Sequence, residues 1–543
     1  MLNWKKIFVP VMVFAAAVSA VAAAGQKLNV WPEDSSEASR WGCSQGAKWV
    51  FDNNGTVLNV TTASKAPGDS CLNSRRISKN ELEKYIGYAV EFSVWIKGEN
   101  ISRPDPSFCG TKFMVVTRTG GVSSTQAATD GLHGTYEWRK FSVTTMINPG
   151  IEGIEILLGI QNAQGQAHFR DFEARLIPPA ALAEVPFELP ENFRCEYSED
   201  IMNMKPKRGV MCNDPRLFWL DDMRDLSKWG ANLIRWQFNA SPSTDLEKYR
   251  NALDASLEKL ISMAPELEKL GIRVVFDMHT PPGGRYSEPS VLGTAGALAK
   301  LDGSACLRLY QEELYQKAFV STWKYIATRL KDIPAVWAYD LLNEPTSGGI
   351  KGKYNYLGSQ YAAAQAIREV DAVRPIIVES DDWASVNSFG YLLPLPLRNI
   401  FYSFHFYTPG EYTHQGTSPI QLEAVRAGKM SAYPGSIFGS YVDKDYLRGA
   451  LEPVVAFQEK YGAKIFCGEF SVVRWAPGAD QWLEDVLAIF AEHDWSWTYH
   501  AFREWHGWSV EHDDDCDNEQ PVDYVTIRKQ LLLNEFKKNL VGE

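Results

Sequence analysis

Residues 336–345, VWAYDLLNEP, decide the fold of this chain. The run is mainly apolar through Leu342 and then ends in Asn343, Glu344 and Pro345. A short apolar run of this kind is typical of a strand that is buried on both faces. The carboxylate at its mouth leaves two interpretations: Glu344 caps the following helix, or it takes part in chemistry.

Eight runs of this kind follow residue 205, and helical patterns separate them. In chain order they are RGVMCN, ANLIRWQF, IRVVFDMH, VWAYDLLNE, PIIVES, NIFYSFHFY, AKIFCGEF and WSWTYHAF. One helical pattern, which stops at Gly271, consists of Leu253, Leu257, Leu260, Ile261, Ala264 and Leu267. Eight strands that alternate with helices predict a (β/α)8 TIM barrel. A doubly wound sheet is the alternative, but no G-x-G-x-x-G follows the first strand.

The region from residue 28 to 177 has a different period. Apolar residues alternate with other residues in YAVEFSVWIKG and again in IEILLGIQ. The residues on one face are Tyr88, Val90, Phe92, Val94, Ile96, Ile154, Ile156, Leu158 and Ile160. This alternation, with Gly, Asn and Pro turns, predicts an antiparallel β-sandwich over residues 26–178. A Pro- and Ala-rich stretch predicts a linker over 179–195, which leaves 196–543 for the barrel domain.

The first 24 residues form a separate segment. Lys5 and Lys6 precede an apolar stretch from residue 7 to about 18, and small residues follow at 22–24. This order is typical of a secretory signal peptide, so we expect a secreted or periplasmic protein, with attachment to the cell surface as a further alternative. No later run approaches the roughly 20 apolar residues of a spanning helix.

Export makes the eight cysteines candidates for disulfides. Three lie in the N-terminal third and five beyond it: Cys43, Cys71, Cys109, Cys195, Cys212, Cys306, Cys467 and Cys516. Because both counts are odd, either a bridge joins the two regions or two thiols are free, and Cys467 is a candidate for a free thiol. The chain has no C-x-x-C and no H-E-x-x-H, so we expect neither a metal nor a cofactor.

Charge and aromatic content narrow the class of ligand. The net charge is −12 with a pI of about 5.4, so the chain lacks the basic field that collects nucleic acid. Eighteen Trp residues offer flat apolar faces with one polar atom each. Such faces suit sugar rings, although large cores use them too.

The carboxyl ends of the strands of a TIM barrel build its active site. Here those ends carry Arg235, His279, Asn343, Glu344, His405, Tyr407, Glu469, and Trp505 or Trp508. Each has a structural alternative: a helix cap for Glu344, a pair with Arg474 for Glu469, and burial for the histidines. Their occurrence together at one end of a barrel favours chemistry.

Two carboxylates on strands four and seven lie across a barrel mouth from each other. One carboxylic acid can protonate a departing glycosidic oxygen while the other carboxylate attacks the anomeric carbon or activates a water. Arg235 would keep one of the two ionised, and Asn343 could hold a sugar hydroxyl. The pair therefore indicates a glycoside hydrolase.

The barrel region resembles glycoside hydrolase family 5, the cellulase-like retaining glycosidases. The matching motifs are Arg235, His279 in DMHTPPGG, Asn343-Glu344-Pro345, His405-x-Tyr407 in SFHFYTP and Glu469 in IFCGEFS. The resemblance implies that Glu344 is the acid/base and Glu469 the nucleophile of a retaining mechanism. It also implies that Arg235 and Tyr407 contact the nucleophile.

For the remaining residues the resemblance implies less specific roles. His279 and His405 would contact substrate or support residues that do. A Trp at the end of strand eight would lie under the sugar, and we favour Trp505 over Trp508. The sequence departs from many family members at Ser471, where they have Gly.

The predicted sandwich resembles a jelly-roll carbohydrate-binding module. Its candidate platform residues are Trp41, Trp49, Trp95 and Trp138, which could equally be core. We expect a retaining hydrolase of a poly- or oligosaccharide, with β-glucan or hemicellulose favoured. The long segments 280–308 and 408–446 would wall the cleft. The alternatives are an exo-acting glycosidase on a less common glycoside and, from another class, a non-catalytic sugar-binding protein.

Overall fold

The computed structural model describes most of the chain in two compact units. The described residues are 26–52, 55–63, 70–104, 108–119, 122–129, 131–148, 150–177, 185–212, 219–240, 243–284, 308–346, 354–417, 419–437 and 439–540. The first unit covers the described residues up to 182 except 118–123 and 148–152, and the second unit covers the others. The predicted signal peptide and most of segment 280–308 lie outside the described residues.

The first unit contains two antiparallel sheets. Its strands are β1 (Ala47–Asp52), β2 (Gly55–Thr62), β3 (Ser70–Ser78), β4 (Ala89–Ile101), β5 (Gly110–Thr119), β6 (Val122–Ala127), β7 (Gly134–Met146), β8 (Ile151–Gln161) and β9 (Gly165–Ile177). One sheet has the order β1-β2-β9-β4-β7 and the other β3-β8-β5-β6. Phe113 of β5 meets Phe172 of β9 with ring centroids 5.9 Å apart, so the sheets pack face to face. The predicted antiparallel strands are therefore confirmed.

The period of two explains this core. In β4 the alternate residues Val90, Phe92, Val94 and Ile96 are all fully buried. Trp95, between two of them, is only partly buried, because successive side chains of a strand point to opposite faces.

Eight parallel strands close the second unit into a barrel. They are β10 (Arg208–Cys212), β11 (Leu233–Gln237), β12 (Arg273–Asp277), β13 (Val336–Asp340), β14 (Ile376–Glu379), β15 (Ile400–Phe406), β18 (Lys464–Phe470) and β19 (Ser496–Phe502). A short hairpin, β16 (Gly435–Ile437) and β17 (Ser440–Val442), precedes β18. All eight predicted strands are present in the predicted order, so the barrel prediction is confirmed and the doubly wound alternative is wrong.

Helices connect the strands. In chain order the described α-helices of five or more residues in the second unit are Leu220–Trp229, Leu246–Lys269, Glu313–Leu330, Tyr356–Arg368, Pro419–Arg426, Lys444–Ala450, Glu452–Tyr461, Ala479–Glu492 and Ile527–Leu540. The longest begins after Asp245, whose side chain accepts from the Lys248 N–H. It ends before Gly271, which has a φ of +71°. Among the described residues, every helix is too short or too polar to cross a bilayer.

On five of the barrel strands, β11 to β15, the inward-facing side chains change from apolar to polar within two residues. A buried apolar layer contains Leu233, Val275, Ala338, Ile377 and Phe401. Two positions later the same strands carry the equally buried Arg235, Asp277, Asp340, Glu379 and Ser403. Side chains two residues apart share a face of a strand, so the second set lies directly above the apolar layer, towards the carboxyl ends.

Candidate active site

Arg235 lies at the centre of the polar layer and is fully buried. Its Nε donates to Asp340 at 2.8 Å, and its Nη1 donates to Glu469 at 2.8 Å. Its Nη2 donates to Asn343 and to Glu379, both at 2.8 Å. Burial by itself lowers the pKa of Arg235, but the surrounding carboxylates outweigh it and raise the pKa well above its usual value. The guanidinium therefore stays charged and fixes the residues around it.

Glu469 is in β18, with 5 % of its side chain exposed. One of its oxygens accepts from Arg235, and the other accepts from the Tyr407 hydroxyl at 2.9 Å. Burial raises the pKa of Glu469, but the positive charges of His405, His500 and Arg235 outweigh burial and hold the pKa well below its usual value. Glu469 is therefore a carboxylate at neutral pH, as a nucleophile must be.

Glu344 lies just beyond β13 and is more open, with 17 % of its side chain exposed. Its backbone has a φ of +45°, which few non-glycine residues adopt. The helix that begins at Tyr356 is capped by Asn355, so the helix-cap interpretation of Glu344 is wrong. The Glu344 side chain instead contacts His405.

His405 is the group that both glutamates share. Its Nδ1 lies 3.0 Å from Oε1 of Glu344 and 3.6 Å from Oε2 of Glu469. Its Nε2 lies 3.3 Å from Oε1 of Glu379. Burial lowers the pKa of His405, but the charges of Glu469 and Glu379 outweigh burial and raise the pKa well above its usual value. The ring is therefore an imidazolium that lies between the side chains of Glu344 and Glu379.

His279 and Asn343 form the opposite edge of the cluster. The Nδ1 of His279 lies 2.9 Å from a carboxylate oxygen of Asp277, and its Nε2 lies 3.4 Å from the amide nitrogen of Asn343. Since an amide nitrogen only donates, Nε2 accepts and Nδ1 carries the proton in that arrangement. The carbonyl oxygen of Asn343 accepts from Arg235, so its amide nitrogen is left to face His279.

Tyr407 connects Glu469 to a histidine that the sequence analysis missed. Its hydroxyl donates to Glu469 and lies 2.5 Å from Nδ1 of His500. The Nε2 of His500 lies 3.4 Å from Glu504. Burial and the Glu469 charge raise the pKa of Tyr407 well above its usual value, so the phenol keeps its proton and can donate to the carboxylate.

The two candidate tryptophans differ in their neighbours. Trp508 packs against Tyr407, with ring centroids 5.8 Å apart, and against His500 at 5.9 Å. Trp505 packs against Trp508 at 5.3 Å and against Trp475 at 5.7 Å. Trp508 thus contacts the cluster directly and Trp505 contacts it through Trp508. The role of Trp505 as a platform stays a prediction.

The structure brings together seven of the residues that sequence patterns singled out: Arg235, His279, Asn343, Glu344, His405, Tyr407 and Glu469. The suggested pair of Glu469 with Arg474 does not form, because Arg474 instead contacts backbone carbonyls of residues such as His506 and Asp513. Cys467 is a buried free thiol, as predicted, but Cys43, Cys71, Cys195, Cys212 and Cys516 are free as well, so the alternative of two free thiols is wrong.

Four members of the cluster escaped the sequence analysis: Asp277, Asp340, Glu379 and His500. The signal was available for three of them, since each is an acidic residue inside an otherwise apolar strand run. Burial of an unpaired charge is costly, so an acid in such a run implies a buried partner. His500 gave no comparable signal, because polar residues are common near a strand end.

Charge decides whether this cluster suits a metal ion. One oxygen of Glu344, one ring nitrogen of His405 and one oxygen of Glu469 lie within 4.8 Å of one another. However, a protonated imidazole has no lone pair for a metal, and Arg235 already neutralises Glu469. The donor set therefore fits a proton-transfer site better than a cation site.

A closed parallel barrel with two glutamates at its mouth, one of them held ionised, defines a barrel glycoside hydrolase. The family model of the cellulases, glycosyl hydrolase family 5, matches residues 206–505. The chain belongs to this family, and the protein is a glycoside hydrolase.

Characterised relatives are similar to this chain over part of its length. Endoglucanase C of Acetivibrio thermocellus is 27% identical over 248 residues, which are 42% of this chain and 67% of that protein. Cellodextrinase A of Ruminococcus flavefaciens is 22% identical over 319 residues, 58% of this chain and 83% of that protein. Among solved structures, endoglucanase Cel5A from the hyperthermophilic Thermotoga maritima superposes with a TM-score of 0.43 at 19% identity, covering 60% of this chain and 96% of that chain.

Proposed function

We propose that the protein hydrolyses a β-glucan with retention of configuration, with Glu469 as nucleophile and Glu344 as acid/base. The observation that carries this proposal is the proximity of the two side chains, since one carboxylate oxygen of Glu344 lies within 4.8 Å of one carboxylate oxygen of Glu469. Carboxyl groups about 5–5.5 Å apart favour direct attack and retention, whereas inverting enzymes need about 6.5–9.5 Å to admit a water.

In the first step, Glu469 attacks the anomeric carbon while Glu344 gives its proton to the departing oxygen. The bond between the anomeric carbon and that oxygen breaks, and an ester bond to Glu469 forms. Arg235 and Tyr407 stabilise the carboxylate before the attack and orient it. His405 lies against Glu344 and can stabilise the negative charge that remains once the proton has left.

In the second step, a water attacks the same carbon and Glu344 takes its proton. The ester bond breaks, Glu469 leaves as a carboxylate, and the sugar is released with its original configuration. The greater exposure of Glu344 suits this step, because that residue must reach both the leaving sugar and a solvent water.

The β-glucan assignment rests on the names of two relatives, an endoglucanase and a cellodextrinase. An aromatic residue on the rim is consistent with a saccharide ligand. Trp383 is 40% exposed, and its backbone N–H donates to the carbonyl of Pro345, next to Glu344, at 3.2 Å. An indole face so placed can stack on a sugar ring of the leaving group.

For the N-terminal unit we propose a jelly-roll fold and glycan binding on the outer face of its five-stranded sheet. Trp41 is buried and donates to the Val30 carbonyl, so it belongs to the core. Trp95 and Trp138 are only partly buried, and the Arg170 guanidinium stacks 4.2 Å from the Trp138 ring. These two indoles are the better candidates for sugar contacts. The test is binding of the full chain to insoluble glucan. Weaker binding by Trp138→Ala, with unchanged binding by Trp41→Phe, would support this proposal.

We also propose that the protein is exported, since residues 1–24 have the order of a signal peptide. Amino-terminal sequencing of the protein recovered from its native host tests this directly. A mature chain that begins close to residue 25 supports export, and an intact Met1 contradicts it.

The test of the enzymatic proposal compares wild type with Glu344→Ala and Glu469→Ala on glucans, hemicelluloses and aryl glycosides. Glu469→Ala should lose hydrolysis of every substrate. Glu344→Ala should lose hydrolysis of glucans but should still release activated phenols, which need no proton to depart. NMR of the first product should show the retained anomer.

The products also locate the cut. Internal cleavage of polymers supports endo action, and activity confined to small glycosides supports the exo-acting alternative. Binding of a glycan without hydrolysis by wild type would contradict the enzymatic proposal and favour a sugar-binding protein.

A further inference from the structure

Glu379 is a buried carboxylate at the end of β14 that the proposed mechanism does not use. Its backbone is clamped by a single side chain: the Gln360 amide accepts from the Glu379 N–H and donates to the Glu379 carbonyl, both at 3.0 Å. Gln360 lies in the helix Tyr356–Arg368 and is fully buried itself. The position of Glu379 is therefore rigidly fixed.

The two carboxylate oxygens of Glu379 face different parts of the active site. Oε1 accepts from Arg235 at 2.8 Å and lies 3.3 Å from Nε2 of His405. Oε2 accepts from the backbone N–H of Glu344 at 2.7 Å. The Glu379 side chain thus contacts three groups of the active site: Arg235, which binds Glu469; the imidazolium of His405; and the backbone N–H of Glu344.

We propose that Glu379 is a positioning residue that sets the geometry of Glu344 and the charge of His405 at the same time. This inference rests on the roles proposed above for Glu344 and Glu469. The contact through Oε2 holds the Glu344 backbone in the left-handed region, where φ is +45° and few non-glycine residues are stable. The contacts through Oε1 place a negative charge beside His405.

A purely structural explanation is that Glu379 only neutralises Arg235. Asp340 provides the comparison, because it is equally buried and also accepts from Arg235 at 2.8 Å. Its second oxygen makes no hydrogen bond with any of the described residues. Burial and the neighbouring carboxylates outweigh the opposing charge of Arg235 and raise the pKa of Asp340 well above its usual value. Among the described residues, Asp340 supports Arg235 without the contacts through which Glu379 reaches His405 and the Glu344 backbone.

The decisive variant is Glu379→Gln, because an amide has only one oxygen and cannot accept from both Arg235 and the Glu344 N–H. Whichever way the amide is turned, its NH2 group faces a donor: either the Glu344 N–H or the Arg235 guanidinium. We expect kcat to fall about 10- to 100-fold, the range seen when a supporting hydrogen bond of a site is lost. We expect KM to change much less, since Glu379 lies below the surface that meets substrate.

The pH profile of kcat/KM distinguishes a positioning role of Glu379 from a role in which it only neutralises Arg235. Removing a negative charge lowers the pKa of every neighbouring ionisable group. In Glu379→Gln both limbs of the kcat/KM profile should therefore move to lower pH. In Asp340→Asn they should move less than in Glu379→Gln even if kcat falls, because Asp340 makes its hydrogen bond to Arg235 and not to His405 or the Glu344 backbone. Glu379→Asp keeps the charge and should leave the limbs near their wild-type positions.

The experiment measures kcat, KM and pH profiles of the full chain on the best substrate found for wild type, with circular dichroism as a check of folding. Unchanged kcat in Glu379→Gln overturns the inference. Equal limb positions in Glu379→Gln and wild type also overturn it, since they would mean that the residue only supports the fold. If Glu379→Gln does not fold, the test uses Glu379→Asp. A shifted kcat/KM pH profile in that variant contradicts the inference, and an unshifted profile with a reduced kcat supports it. Absence of hydrolysis by wild type contradicts the proposed function instead.

Discussion

Two layers of the barrel interior lie two residues apart on the same strands and differ completely in chemistry. The lower layer is apolar and includes Ile377 and Phe401, and the upper layer above Ile377 contains Glu379 beside Arg235. All four side chains are buried to the same degree. Burial therefore does not decide polarity here. The polar upper layer can be buried because its charges are paired and hydrogen-bonded. It also holds Glu469 and the Glu344 backbone in place.

The largest expected effect is on activity, from a change in the upper layer alone. Glu469→Ala removes the group that forms the bond to the sugar, so we expect kcat to fall by about 10⁴-fold or more. The unfolding midpoint should change little by comparison, because the variant relieves a crowded set of carboxylates. Residual activity above about one per cent, measured on a preparation free of wild type, would contradict the assignment.

Arg235→Met tests how strongly pairing holds the upper layer. Removing the only guanidinium among these carboxylates leaves buried charges uncompensated, so we expect a loss of about 3–5 kcal/mol in the free energy of unfolding. The matched control is Arg503→Met, since Arg503 likewise binds several acidic side chains, three of them, but is 35% exposed. Its loss should stay below about 1 kcal/mol. Equal losses in urea unfolding would mean that burial of the network is not what matters.

Ile377→Ala tests the lower layer. A cavity in a packed apolar layer should cost about 2–5 kcal/mol in stability, and Ile377→Val about 0.5–1.5 kcal/mol. Because the valine variant keeps the strand in place, its kcat well below the unfolding midpoint should equal that of wild type. A clear fall in kcat for Ile377→Val would show that the two layers are not independent.

The smallest expected effect is the pH dependence that His405 gives to stability. Its pKa is raised in the folded protein above the value of about 6.5 expected in the unfolded chain. The stabilisation is therefore fully present below pH 6.5 and is lost as the pH rises through the higher folded pKa. The difference in unfolding free energy between wild type and His405→Gln should shrink across that range. A difference that grows with pH would contradict the imidazolium assignment.

Local patterns were sufficient for much of this molecule. The period of two predicted the strands of the first unit, and eight apolar runs predicted the barrel, because both patterns reflect burial of neighbouring residues along the chain. Residues at the ends of those runs, such as Arg235 and Glu469, could be named in advance. A barrel brings the carboxyl ends of all its strands to one rim, so chain order alone placed them together.

The sequence patterns did not predict which residues of the rim contact each other. Arg235 and Glu469 are 234 positions apart, and their pairing depends on closure of β10 against β19 and on the register shift between Phe404 and His405. These are long-range properties of the sheet. They decided that His500 of β19 lies within hydrogen-bonding distance of Tyr407, and that Trp508 lies nearer to the cluster than Trp505.

The sequence by itself thus determined which strands form and which side chains reach the barrel mouth, since hydrophobic period and strand ends are local. Only the tertiary structure decided which of those side chains touch, and which carboxyl group has its pKa lowered and which has it raised. Those properties depend on distances of about 3 Å between residues of different strands, because electrostatic interactions among buried groups change steeply with separation and surroundings. Glu379 illustrates both: its run was visible in the sequence, and its partners were not.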